Sequence, residues 1–264
     1  MSKADHKNRP IVVVTGAGVV SSLGKGKQEN WAKLTAGTSG IHSIDRFGTD
    51  GLKTTVAGTV DFMDLDKQSA PELSYTLAET AGGEALQQAG LNGGEFPGPL
   101  FLASPPVEME WSHRFELDGE VTGSNLEGYQ RLLEASRKKK HQDVYELVQF
   151  GGCAERISEK FGTTGLPISL STACASGATA IQLGVEAIRR GETDAALCIG
   201  TDGSVTMESL IRFSLLSALT TQNDNPEKAA KPFSKDRDGF VMGEGAGIVV
   251  LEEYEHAKAR GAKI

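Results

Sequence analysis

Cysteine is scarce in this chain: Cys153, Cys174 and Cys198 are the three found in 264 residues. They are odd in number and show no C-x-x-C spacing, which argues against a disulfide framework and a zinc site and fits a reducing cytoplasm. Long apolar runs are missing as well. No stretch approaches the roughly 18 apolar residues that a membrane span needs, and Met1 to Pro10 is polar and charged, unlike a secretory signal. Positive charge is in deficit. A net charge of −8 argues against a general nucleic-acid binder, while leaving room for a local basic patch. The expectation is a soluble cytoplasmic protein with no membrane span and no nucleic-acid partner.

What is present suits an α/β protein, as one large domain or two small ones. Hydrophobic residues make up 39%, enough for a sizeable core, and 32 glycines imply tight turns and close backbone contacts. The β-branched run Ile11 to Val14 reads as a buried strand entering a turn at Thr15-Gly16-Ala17-Gly18. That turn invites a nucleotide-binding reading, but Ser21 stands where a dinucleotide fingerprint needs its third glycine, and Gly24-Lys25-Gly26 does not complete a P-loop. A Tyr-x-x-x-Lys pair, Tyr254 and Lys258, lies in a Glu/Lys-rich segment far from that turn. A structural strand and turn is the better account.

Further along, Trp31 to Leu34 continues a helix, Leu73 to Ala89 reads as a helix ended by Gly90, and Pro99 to Ala103 as a short strand. Val107 to Gly151 is polar and without strand patterning. Its run Arg137-Lys138-Lys139-Lys140 reads as a solvated helix face, the functional option being a dock for an acidic partner. Ile157 and Phe161 mark a helical face closing at Gly162.

Then comes Ile168-Ser169-Leu170, an alternating strand that ends in small residues around Cys174 before a helix with Ile181, Val185 and Ile188 on one face. That helix finishes at Arg189-Arg190-Gly191. Cys174 therefore sits at a strand-to-helix turn, where the positive end of the helix favours a thiolate and lowers the cysteine pKa. Free N–H groups of such a turn can hold an oxyanion. The pattern leaves two readings of Cys174 open, an attacking nucleophile and a buried structural cysteine. Ala195 to Gly200 is a fully apolar strand, so Cys198 is a core residue, and two buried strands joined by a helix imply a parallel sheet. Phe233 to Gly247 forms a tight glycine-rich loop, with Asp236, Arg237 and Asp238 read as locally paired charges, leading into the strand Ile248 to Glu252. Glu255 to Arg260 is a charged helix stopped by Gly261.

Three segments together resemble the β-ketoacyl-acyl-carrier-protein synthases of the elongating type: Thr172-Ala173-Cys174-Ala175-Ser176-Gly177, Ser217 to Pro226, and the loop Arg237 to Gly247. The opening Val13 to Gly18 and the ending Leu251 to Lys258 fit as well. The resemblance implies a thiolase-like α/β fold with αβαβα layers, of which this chain is the N-terminal half with a mainly parallel mixed sheet. It implies residues 1–251 as the N-terminal domain and 252–264 as a connecting helix and the start of a further half, since Ala262-Lys263-Ile264 looks like the beginning of another strand. It also implies an acyl chain taken onto Cys174 from acyl carrier protein, then condensed with malonyl carrier protein in a decarboxylative Claisen reaction of fatty acid biosynthesis, in a homodimer. No cofactor or metal is implied. Phe213 and Phe240 match positions beside the family's active site, with ordinary core phenylalanines as the alternative.

The departures are specific. Gly200-Thr201-Asp202-Gly203 replaces Gly-Gly-Ala-Glu, Pro232-Phe233-Ser234 replaces Pro-Phe-Asp, and Ser104-Pro105-Pro106 stands where a glycine-rich turn is usual. The family's two condensing histidines have no counterpart among His6, His42, His113, His141 and His256. The fragment alone is therefore expected to lack the groups for condensation. Two other readings compete: a non-catalytic partner subunit that controls chain length, and a coenzyme A-dependent acyltransferase of the same fold. A nucleotide-binding dehydrogenase ranks last.

Overall fold

The computed structural model describes residues 4–5, 7–63, 69–91, 94–106, 109–140 and 142–264; His6 and His141 lie outside them. The chain runs β1 (Val12–Ser21), β2 (Gly24–Lys25), α1 (Gly26–Thr35), β3 (His42–Ser43), β4 (Val56–Ala57), α2 (Ala70–Ala89) and β5 (Leu100–Ala103). It continues through α3 (Trp111–Gly119), α4 (Tyr129–Arg137), α5 (Gln142–Leu147), α6 (Gly152–Phe161), β6 (Ile168–Leu170) and α7 (Ser176–Arg189). β7 (Ala195–Asp202), α8 (Met207–Leu215), β8 (Gly245–Glu253) and α9 (Tyr254–Ala259) complete it.

A six-stranded sheet in the order β2-β1-β8-β7-β5-β6 carries the fold. β5 pairs in parallel with both β6 and β7, whereas β8 is antiparallel to β7 and β1. β1, β5, β6 and β7 therefore point one way, giving the mainly parallel mixed sheet expected from a helix crossing between buried strands. Leu100, Leu102, Leu197 and Ile199 face α2 and α6, in one core with Leu77, Ala81, Ile157 and Phe161. Phe101, Cys198 and Leu251 face α7, in a second core with Ala180, Ala187 and Ile188. The alternation of strand side chains thus serves two helical layers at once.

Three local expectations are corrected. β1 does not stop at Thr15 but runs on to Ser21. Gly16 and Gly18 are strand residues, and a Cβ on either would collide with the backbone carbonyls of Ala85 and Ala81 in α2. The G-x-G pattern is a helix-packing device rather than a turn. In α7 the buried residues are Ala180, Gly184, Ala187 and Ile188, while Ile181 is 41% exposed. Small residues let this helix settle close to β7, and that choice of face turns Ile181 outward. In the late loop, Asp236, Arg237 and Asp238 do not pair with one another. Asp238 accepts from Thr220 Oγ1 at 2.6 Å, and Arg237 donates to the Ser234 carbonyl at 2.7 Å.

The polar stretch after β5 holds α3 and α4 around a small core of their own, Leu117, Val121 and Ala135 with Met109 against it, while α5 packs on α6. The basic run closes α4: Arg137 pairs with Glu134, and Lys140 with Glu120 at 2.8 Å. Two carboxylates moor this segment. Glu110 accepts from the Ala70 N–H at the start of α2 (2.6 Å), and Glu208 from the Trp111 N–H at the start of α3 (2.7 Å). Each serves a helix N-terminus, where unpaired N–H groups and the dipole favour a negative partner.

Candidate active site

Strand direction decides which loops meet. The C-terminal ends of β5, β6 and β7 lie at one end of the sheet. Gly245, where β8 begins, is opposite Asp202, where β7 finishes, and opposite Ser21 of β1. The segments after β5, β6 and β7 and the loop before β8 therefore converge there, the end at which α/β sheets place their ligands.

Cys174 sits on that end, just ahead of α7, and its side chain is exposed. Exposure removes the buried reading of this cysteine. The turn is built by its small polar neighbours. Ser176 Oγ donates to the Ala173 carbonyl (2.6 Å) and accepts from the Thr172 N–H (2.8 Å), and the Thr172 and Thr179 hydroxyls meet at 2.9 Å. Ala173 is held at φ +52°, a left-handed conformation sparsely used by residues with a Cβ. Such conformations persist where surrounding structure fixes them, often at functional sites.

The other two thiols are different. Burial pushes the Cys198 thiol up to about 12 and the Cys153 thiol up to about 11. Cys198 is a core residue, as expected.

Phe213 on α8 and Phe240 in the loop before β8 meet edge to face, with ring centroids 5.4 Å apart and planes at 78°. They are 37% and 46% exposed, so neither is an ordinary core phenylalanine. The Phe240 N–H donates to the Ala218 carbonyl (2.9 Å), and the Thr220 N–H to the Phe240 carbonyl (3.0 Å). The structure thus joins the two aromatics to each other, and its topology puts them at the same end of the sheet as Cys174.

On the α2 side of that end lies an apolar cleft whose walls include Ser74, Ser104, Pro105, Met109, Cys153 and Thr206. Ser104 Oγ is buried without a hydrogen-bond partner. Sequence reasoning missed the ion pair of Arg46 with Glu244 beneath the Phe240 loop. The two residues are remote in sequence, and the one signal was a lone acid among the glycines Gly243, Gly245 and Gly247. Among the described residues, no group of three or more His, Cys, Asp or Glu side chains is placed to hold a metal ion, and no helix is long and apolar enough to cross a membrane.

The family model for the β-ketoacyl synthase N-terminal domain matches residues 9–257. The chain belongs to the β-ketoacyl synthase family. It is 36% identical over 268 residues to the 3-oxoacyl-[acyl-carrier-protein] synthase 2 of Vibrio cholerae, covering 96% of this chain and 60% of that protein. Among solved structures it is similar to a type II PKS ketosynthase complexed with its acyl-carrier protein, with TM-score 0.79, 30% identity, and 97% and 61% of the two chains covered. The ishigamide ketosynthase/chain length factor matches with TM-score 0.74, 30% identity and the same coverage. This chain thus spans about three-fifths of the length of these relatives. Its sheet and helices are the N-terminal half of the thiolase-like fold, as the resemblance implied.

Proposed function

We propose that this chain is the acyl-accepting half of a 3-oxoacyl-acyl-carrier-protein synthase, with Cys174 as the nucleophile. The observation that carries this is an exposed cysteine on a constrained turn at the head of α7, within a β-ketoacyl synthase domain. The Cys174 thiolate attacks the carbonyl carbon of an acyl thioester, and the tetrahedral oxyanion collapses with departure of the carrier thiol, which takes a proton. The Cys174 N–H is the oxyanion donor that the family resemblance implies, while the N–H groups of Thr172, Ala175 and Ser176 are engaged in or beside the turn. Phe213 and Phe240 are the proposed apolar contacts for the acyl chain.

The second half-reaction needs further groups. Malonyl carrier protein loses CO2, and its carbanion attacks the Cys174 thioester to form the new carbon–carbon bond and free the thiolate. No described histidine is assigned to this step: His42 bonds to Asp61 at 3.1 Å, His113 lies on α3, and His256 bonds to Glu252 at the opposite end of the sheet. The remaining length seen in the relatives is where we place the missing groups, with residues 1–251 as the N-terminal domain and 252–264 as the link. We place the protein in the cytoplasm and acyl carrier protein as its partner, in line with the complexed neighbour. A homodimer is supported by the free edge of β6, where Ile168 is 44% and Leu166 90% exposed. The second reading, a non-catalytic subunit that controls chain length, is favoured by the likeness to a ketosynthase/chain length factor.

Intact-mass analysis after incubation with an acyl-pantetheine thioester separates the two. One acyl adduct, mapped to Cys174 and lost in Cys174→Ala, supports the acceptor reading. No adduct, or one that persists in Cys174→Ala, defeats it.

A further inference from the structure

The loop that carries Phe240 is held from beneath by a charge cluster with no part in the chemistry proposed for Cys174. Glu244, at the end of that loop, has a side chain with 0% exposure. Both its oxygens accept from the Arg46 guanidinium at 2.9 Å, and one also accepts the Val60 N–H at 2.9 Å. Arg46 donates further to Asp61 at 2.7 Å, and Asp61 in turn holds Thr59 and His42. Burial pushes the Glu244 carboxyl up, against the pull of the Val60 N–H and the Arg46 guanidinium.

The backbone repeats the attachment. Gly58 donates to the Met242 carbonyl at 2.8 Å, and Glu244 donates to the Gly58 carbonyl at 2.9 Å. At the loop's other end, Gly239 lies flat on the Leu219–Thr220 peptide, where any Cβ would collide, and Asp238 is bonded to the Thr220 hydroxyl and the Thr221 N–H. Between these anchors stand Phe240, Val241, Met242 and Gly243. Met242 packs inward on a cluster with Ile44, Leu210 and Leu219, and Phe240 turns out against Phe213.

An ion pair that buries its carboxylate, as Glu244 is buried here beneath a partly exposed Arg46, is a poor device for stability, because desolvating the buried charge offsets much of the attraction. What a bidentate guanidinium–carboxylate pair does supply is direction: two parallel hydrogen bonds fix distance and plane together. β3 and β4, which flank Arg46, form a small sheet apart from the main one.

We propose that Arg46 and Glu244 are positioning residues for the acyl-binding surface. Their ion pair fixes the loop that holds Phe240 against Phe213, and so sets how an apolar acyl tail is received beside Cys174. Neither residue touches the reacting atoms. The proposal rests on the reading of Cys174 as acyl acceptor and of the two phenylalanines as its apolar surface.

The test compares chloroacetamide with N-dodecyl chloroacetamide on the 264-residue chain. Both alkylate a thiol in the same way: the Cys174 sulfur displaces chloride, forming a thioether and releasing a proton to solvent. Only the tail differs, so the ratio of their rates at Cys174, read by peptide mass, reports tail recognition apart from thiol reactivity. The parent chain is expected to favour the dodecyl reagent. Glu244→Gln and Arg46→Ala should lower that preference about tenfold with the chloroacetamide rate unchanged, because a small misplacement of a binding surface is felt strongly. Arg46→Lys, which keeps the charge and loses the fork, should fall between. Circular dichroism checks folding, and if Arg46→Ala does not fold, Glu244→Gln and Arg46→Lys carry the comparison. Folded variants that keep the parent's preference overturn the proposal, as does a parent with no preference. If neither reagent modifies Cys174 in the folded parent, the acceptor reading itself fails, and the clamp proposal falls with it.

Discussion

Gly184 of α7 lies over Cys198 of β7 so closely that a Cβ on the glycine would stand 2.5 Å from the cysteine Sγ. This contact explains why α7 buries its small residues and leaves Ile181 outside. Gly184→Ala should therefore destabilise the protein by about 1–3 kcal/mol, the usual size of overpacking. Gly83 makes the opposite case, being helical and exposed, with nothing within 4 Å of the place an added methyl would take. Gly83→Ala should stabilise by about 0.5–1 kcal/mol through helix propensity and a stiffer unfolded chain. Urea melts of the two variants against the parent measure both, and opposite signs are expected.

The three thiols should separate by reactivity at neutral pH. Thiolate is the attacking species, and burial pushes Cys153 up to about 11 and Cys198 up to about 12. Chloroacetamide should add once, at Cys174, in the folded chain and at all three cysteines in denaturant. Mass mapping over time reads the order, and early modification of Cys198 would contradict the packing of α7 on β7.

Glu252 should shape the acid limb of stability. Burial pushes this carboxyl up, but hydrogen bonds from Arg260, Thr15 and His256, together with the Arg260 charge, outweigh it and leave the group below the usual carboxylate range. A depressed folded-state pKa means that the stabilisation is present above the unfolded value and is lost as the pH falls through the folded one. The expected loss therefore lies below about pH 4.3, the ordinary glutamate value. Glu252→Gln should flatten the pH dependence there and lower stability at pH 7, as followed by denaturant melts across the acid range.

Much of the fold could be read from local pattern. Gly90 at φ +71° and Gly191 at φ +71° end helices where a glycine after an apolar periodic run predicts it. Ala195 to Gly200 is the buried strand its composition suggests, and Cys174 stands on the strand-to-helix turn that its small neighbours point to. What escaped depends on partners far along the chain. Gly16 and Gly18 look like a turn until α2 is laid across them. Ile181 fits the helical stripe by spacing, yet the residues that can approach β7 are the smaller ones. Arg46 and Glu244 carry no mutual signal, because their pairing exists only once β3, β4 and the loop before β8 have been brought together.

The position of β8 has a consequence for how the protein is made. Among the described strands, Gly245–Glu253 follows all the others in sequence, yet it lies between β1 and β7 in the sheet. Until it emerges from the ribosome, β1 and β7 each face an empty slot, and the two parts of the sheet have no common hydrogen-bonded neighbour. Closure must join β1 to residues more than two hundred positions later, and such non-local pairing is slow and leaves strand edges open while it waits. Nascent chains ending before β8 are thus expected to be held by chaperones, with release following synthesis of the strand that closes the sheet.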